Sequence, residues 1–211
     1  MIKAIFWDND GVLVDTERLF YAATKHILST VGVNLTTQQF VELILVQGKG
    51  AWHLTLEKGF LPEHIEHLRR ERDDLYMKLL CEQSIVIEGA RETLEFLHGR
   101  YLMGVVTSSK KEHFDLIHQS SGFLPYFDFV LTADDYTNFK PDPEPYLLAI
   151  KRSGFQKEEC LAIEDSERGL KSAKSAGIKC FVIPTELTKT GNFSQADKVL
   201  GNIKEVFHGL N

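Results

Sequence analysis

Cysteine is scarce in this chain: 211 residues contain three, Cys81, Cys160 and Cys180, widely spaced and with no C-x-x-C pair. An odd, scattered set supports neither a disulfide framework nor a thiolate zinc site, and it suits a reducing compartment. Positive charge is also short, with 24 Lys and Arg against 30 Asp and Glu and a net charge of -6. A surface that tracks phosphodiesters needs clustered positive charge, so nucleic acid is not an expected partner. Long apolar runs are missing as well. None approaches the roughly 20 residues of a membrane span, and the run from Ile2 to Trp7 stops at Asp8, too short for a signal peptide. No membrane partner is expected, and the expected location is cytoplasmic. Apolar residues at 43% and charged residues at 26% match folded globular chains and exclude disordered and fibrous classes.

The length is long for one compact unit of about 150 residues and short for two, so one domain with a large insert is expected. Ile2 to Trp7 is short, apolar and rich in aromatic and β-branched residues, and it ends at Asp8-Asn9-Asp10-Gly11. That pattern is a buried strand feeding a loop. Leu102 to Val106, Phe129 to Leu131, Leu161 to Ile163 and Cys180 to Ile183 repeat it, with helical periodicity at Ala90 to Leu97, Glu112 to Ser120, Pro145 to Ser153 and Arg168 to Ala176. Alternating strands and helices predict an α/β fold with a parallel sheet, made from residues 1–14 and 86–211. Residues 15–85 carry helical periodicity only, at Leu19 to Val31, Thr37 to Val46, Trp52 to Lys58 and Glu63 to Leu80, which predicts an inserted helical domain. In its last helix Arg69, Arg70, Glu71, Arg72, Asp73 and Asp74 read as a solvated face of mixed charge.

Ligands of open parallel sheets bind beyond the carboxyl ends of the strands. Asp8 and Asp10 lie two apart at the first such end, a spacing that turns both carboxylates to one side before Gly11 lets the backbone leave. Taken alone, Asp-x-Asp-Gly is common in turns and calcium loops. Thr107-Ser108-Ser109 closes a second strand and opens a helix, where hydroxyls and unpaired N–H groups can hold a phosphate or merely cap. Lys140, held extended by Pro141, offers a compact positive charge. Glu164 and Asp165 end another strand and, with Asp8, would supply the oxygens of a Mg2+ site. Four strand ends in this order, each with fitting chemistry, are hard to explain independently.

The segment from Phe6 through Asp8-Asn9-Asp10-Gly11 to Asp15-Thr16-Glu17 resembles the first motif of the haloacid dehalogenase (HAD) superfamily, in the subgroup with a helical cap inserted after it. Val105 to Ser109 resembles the second motif, Lys140-Pro141-Asp142-Pro143 the third, and Ile163 to Ser166 the fourth. The nearest subgroup is the β-phosphoglucomutase-like phosphatases. The resemblance implies a Rossmann-like parallel sheet core and a Mg2+-dependent phosphatase acting on a small phosphorylated metabolite through an aspartyl-phosphate. It makes Asp8 the nucleophile and Asp10 the general acid and base. Thr107 with the N–H groups of Ser108 and Ser109 would hold phosphoryl oxygens beside Lys140. Mg2+ would take Asp8, Asp165 and the main-chain oxygen of Asp10, with Glu164 a ligand or just behind. Asn9 departs from the family's usual apolar residue and is expected to point away from the phosphate.

In the insert, Gly48 and Lys49 of the Gln47 to Gly50 turn are the candidate substrate contacts, although a turn lysine is as often simply solvated. His64 and His67 share a helical face but lack a third ligand. A mutase is the near alternative. The mutases carry Thr before the second conserved Asp, Ala after the Asp-Thr pair and a His four residues beyond that Thr, whereas Val14, Glu17 and Phe20 stand here, which favours hydrolysis. A phospho-accepting signalling domain would have no helical insert. A monomer is expected.

Overall fold

The structure, a computed structural model, describes residues 1–210. The chain forms two compact units, Met1–Asp15 with Val86–Asn211 and, separately, Thr16–Ile85. Strand β1 (Ala4–Trp7) belongs to the first unit and is buried along its whole length. An unbroken apolar run suits a strand covered on both faces of a parallel sheet.

The second unit is helical. It runs from α1 (Glu17–Thr30) through α2 (Thr37–Phe40) and α3 (His53–Leu56) to α4 (Pro62–Glu82). The single helix expected over Thr37 to Val46 is divided: α2, opened by a Thr36–Gln39 capping box, passes into a π-helical turn at Val41–Val46. Leu19, Ala23 and Ile27, spaced four apart on α1, bury one stripe, and Ile65, Leu68, Tyr76 and Leu80 bury another on α4. The mixed-charge stretch of α4 is not uniformly solvated, which corrects the sequence expectation. Arg72 lies 4.4 Å from the Phe20 ring centroid and 5.7 Å from that of Trp52, and its Nε donates to Asp73 at 2.7 Å. Its long apolar stem and flat guanidinium suit an aromatic wall better than a second layer of water.

The first unit continues with α5 (Ala90–Leu97), β2 (Leu102–Val106), α6 (Lys111–Ser121), β3 (Phe129–Leu131), α7 (Glu144–Ser153), β4 (Cys160–Glu164), α8 (Glu167–Ser175), β5 (Lys179–Val182), β6 (Lys198–Val199) and α9 (Glu205–Gly209). Six parallel strands lie in the order β3-β2-β1-β4-β5-β6, so the fold is the expected α/β sheet with flanking helices. The edge strand β6 has no counterpart in the sequence pattern, because its two residues are exposed. Phe6, Phe129, Leu131, Tyr146, Leu170 and Val182 share one core cluster. Each such large side chain contributes about 1.5–3 kcal/mol of burial. Strand register sets the polar ends side by side. Trp7 lies opposite both Val105 and Ile163, so the next residues, Asp8, Val106 and Glu164, line up at the carboxyl edge of the three central strands.

Candidate active site

Lys140 reaches that row from the loop before α7. Its Nζ donates to Asp8 Oδ1 at 3.0 Å, to the Val106 carbonyl at 2.8 Å and to Glu164 Oε1 at 2.7 Å, so one ammonium uses its three protons on three adjacent strands. The residue is 4% exposed. Burial alone would lower its pKa, but Asp8 and Glu164 drive it above the ordinary lysine value, and it stays protonated. Asp8 carries the opposite stress. Burial first, and then the neighbouring Glu164 and Asp10 carboxylates, push its pKa up to about 7 against the pull of Lys140.

Asp10 sits on the turn after β1. The hydroxyls of Thr107 and Ser109, at the end of β2, donate to its Oδ2 at 3.1 and 2.8 Å. The Ser109 N–H turns back onto Thr107 Oγ1 at 3.0 Å, so this amide, an expected phosphate donor, is used inside the turn. Ser108 lies between them and is half-buried. The turn depends on Gly11, whose φ of +83° is costly for other residues. A Cβ there would also lie 2.5 Å from Asp165 Oδ2. Glycine thus permits both the bend and the close approach of an acid.

Glu164 is fully buried. Its Oε1 also accepts the Tyr146 hydroxyl at 2.5 Å, and its Oε2, which has no hydrogen-bond partner among the described residues, faces Gly169, where any Cβ would overlap it. Asp8, Glu164 and Asp165 each offer an oxygen within 4.8 Å of the others. Sequence reasoning missed Tyr146. Its only early signal was an aromatic hydroxyl at an apolar position of α7, a type that seeks a partner when buried.

The structure therefore brings Asp8, Asp10, Thr107, Ser109, Lys140, Glu164 and Asp165 to one end of one sheet. Gly48 and Lys49 lie in the helical unit, on a turn whose two glycines have φ of +65° and +72°. Asn9, expected to point away from the reacting centre, is buried and bonded to His118. A separate cavity of about 560 Å³, lined by Lys3, His98, Arg100 and Asp128 among others, opens at the amino end of β1 and β2 and includes none of the clustered acids.

This constellation on this sheet defines a hydrolase family. Residues 5–183 match the haloacid dehalogenase-like hydrolase family model, and the chain belongs to that family. YhcW of Bacillus subtilis (strain 168), named as a candidate phosphatase, is 33% identical over 98% of this chain and 94% of its own. A phosphorylated carbohydrates phosphatase of Thermotoga maritima is 29% identical over 84% of this chain and 83% of its own. The crystal structure of CbbY from Rhodobacter sphaeroides in complex with phosphate superposes with a TM-score of 0.82 at 25% identity, covering 98% of this chain and 96% of that one. No helix among the described residues is long and apolar enough to cross a membrane.

Proposed function

We propose that this chain is a Mg2+-dependent phosphatase that hydrolyses a small phosphorylated metabolite, a sugar phosphate or similar, through an aspartyl-phosphate on Asp8. The observation that carries this reading is the row of Asp8, Lys140 and Glu164 at the carboxyl edge, with Asp10 on the turn beside it. A pure binding site for phosphate has no need of two acids next to its cation. The phosphatase names of the relatives support the same reading.

Asp8, Glu164 and Asp165 are buried with carboxylate oxygens within 4.8 Å of one another, and Lys140 reaches two of them, Asp8 and Glu164. An all-oxygen donor set of this kind fits Mg2+. Asp8 and Asp165, with the main-chain oxygen of Asp10, would hold it. Glu164 acts from behind, because its Oε1 already accepts from Lys140 and Tyr146 and its Oε2 faces Gly169. Held by these residues, Mg2+ would supply positive charge against the phosphoryl oxygens as the two anions meet.

Asp8 attacks phosphorus, and the bond to the leaving oxygen breaks as Asp10 gives that oxygen a proton. Water then attacks the aspartyl-phosphate while Asp10 takes its proton, which restores both acids and releases phosphate. Lys140 remains cationic throughout and orients Asp8. Thr107 and Ser109 hold the Asp10 carboxyl in place for both proton transfers.

The test is a phosphate-release screen over sugar phosphates, phosphoglycolate and nucleoside monophosphates, with Mg2+ and with excess EDTA. Release that requires Mg2+ is expected. No release from any compound, or release unaffected by EDTA, overturns the proposal. With β-glucose 1-phosphate and a trace of glucose 1,6-bisphosphate, glucose 6-phosphate accumulating faster than free phosphate would establish a mutase instead.

A further inference from the structure

Asn9 stands between the two acids, and its side chain is wholly buried. Its Oδ1 lies 2.8 Å from Nε2 of His118, a residue of α6 that is 2% exposed. The other ring nitrogen, Nδ1, lies 2.8 Å from Oγ of Ser121, and that Oγ accepts the Phe123 N–H at 3.1 Å. An amide oxygen only accepts, so Nε2 carries the proton. In a neutral ring Nδ1 then accepts, and the Ser121 hydroxyl supplies the proton. The donors run in one direction, from Phe123 through Ser121 and His118 to Asn9. The imidazole is flanked by Phe114 and Phe123, with centroids 4.3 and 6.1 Å away.

The main chain of Asn9 completes the arrangement. Its carbonyl accepts the N–H groups of Leu13, Val14 and Val12 at 2.8, 3.1 and 3.3 Å. The turn that presents Asp10 thus closes on the residue whose side chain is tied to α6. The His118–Asn9 pair is joined through Asn9 Oδ1, while Asn9 Nδ2 has no hydrogen-bond partner among the described residues; a buried polar contact of this kind favours one geometry where an apolar contact tolerates several.

We infer that His118 is a positioning residue for the Asp8 and Asp10 pair, acting through Asn9; this rests on the phosphatase reading above. It touches no reacting atom. Its loss leaves the chemistry available but lets the two carboxyls drift from the line of attack, which lowers kcat and spares KM.

The experiment compares two amides at one position. His118→Gln keeps a donor where Nε2 was, facing Asn9, whereas His118→Asn places its amide near the Nδ1 position and abandons Asn9. Phosphate release is measured for both and for wild type, with rates referred to the folded fraction from thermal melts. His118→Asn is expected to lower kcat by about 10- to 100-fold with KM unchanged, and His118→Gln to restore most of the wild-type rate. Ser121→Ala, which leaves the ring in place but removes its donor, is the second variant should His118→Asn fail to fold, and a several-fold lower kcat is expected. Equal kcat for wild type, His118→Asn and Ser121→Ala overturns the positioning role while the phosphatase reading stands. A wild type that releases no phosphate from any compound overturns both.

Discussion

Two lysines, one in each unit, were candidates for holding an anionic substrate, and the fold treats them differently. Lys140 in the α/β unit is buried and its ammonium is fixed by the ends of three strands. Lys49 in the helical unit is exposed, on a turn between two glycines of positive φ. The carboxyl edge of the sheet and the outer face of α4 show the same contrast. Ion pairs on α4 such as Arg70–Glu66 and Lys78–Glu82 are mostly solvated, and such pairs contribute little. At the sheet edge, register places the charges and burial makes them interact strongly. Chemistry that tolerates no drift belongs on strand ends, and an interhelical turn is suited to contacts that change with the substrate.

The largest effects are expected at the acids. Asp8→Asn is expected to abolish turnover with the melting temperature little changed, because the volume is kept and the nucleophile is lost. Activity within tenfold of wild type contradicts it. Asp10→Asn should cost about 10²- to 10⁴-fold in turnover yet still accept phosphate from p-nitrophenyl phosphate, whose leaving group needs no proton. Trapped phosphoenzyme, read by mass spectrometry, checks this, and its absence removes the separate roles.

The lysines come next. Lys140→Ala leaves buried carboxylates without their cation and should destabilise the chain by about 3–5 kcal/mol in urea unfolding. Lys49→Ala should leave stability unchanged and raise KM by about fivefold at most, as for a solvated charge contact worth ~1 kcal/mol. Equal effects of the two substitutions on stability would erase the distinction between the units.

Inside the α/β unit the His118 ring should give a smaller effect. Burial lowers the His118 pKa from its ordinary 6.5 to about 4, although Asp10 and Asp115 pull it upward. Below pH 6.5 the unfolded chain therefore binds a proton that the folded ring refuses until about pH 4. The stability in question is fully present above pH 6.5 and is lost as pH falls toward 4. Urea midpoints of wild type should fall over that interval more steeply than those of His118→Gln. Parallel profiles would mean that the ring takes up its proton at the same pH in both states.

Strand ends were legible because their residues are local: an apolar run of fixed period stops at a polar group, and period two puts Asp8 and Asp10 together. What joins the ends was not. The bond between His118 and Asn9 spans 109 positions, and no local pattern marks either residue as a partner. Lys140 was a candidate from its own segment, but its burial was not legible, because its partners lie on strands more than 20 residues away on either side. The π-helical turn at Val41–Val46 and the two-residue β6 escaped for another reason. Neither lasts long enough for a hydrophobic period to register. Arg72 was misread because charge alone predicts solvent, while its aromatic neighbours on α1 and near α3 are distant in sequence.

The triple grip of Lys140 has a consequence for how this protein can age in evolution. The side chain proposed to steer the nucleophile also fastens three neighbouring strands, so it is under two selections at once. A descendant that abandoned its reaction would still lose stability at the carboxyl ends of the central strands without this fastening. Loss of function would then be written elsewhere, at a place where the change is structurally cheap, such as Asp10→Asn, whose amide oxygen can still accept the same two hydroxyls. A lysine retained at position 140 is therefore a record of folding, and the acid at position 10 is the better sign that the chemistry survives.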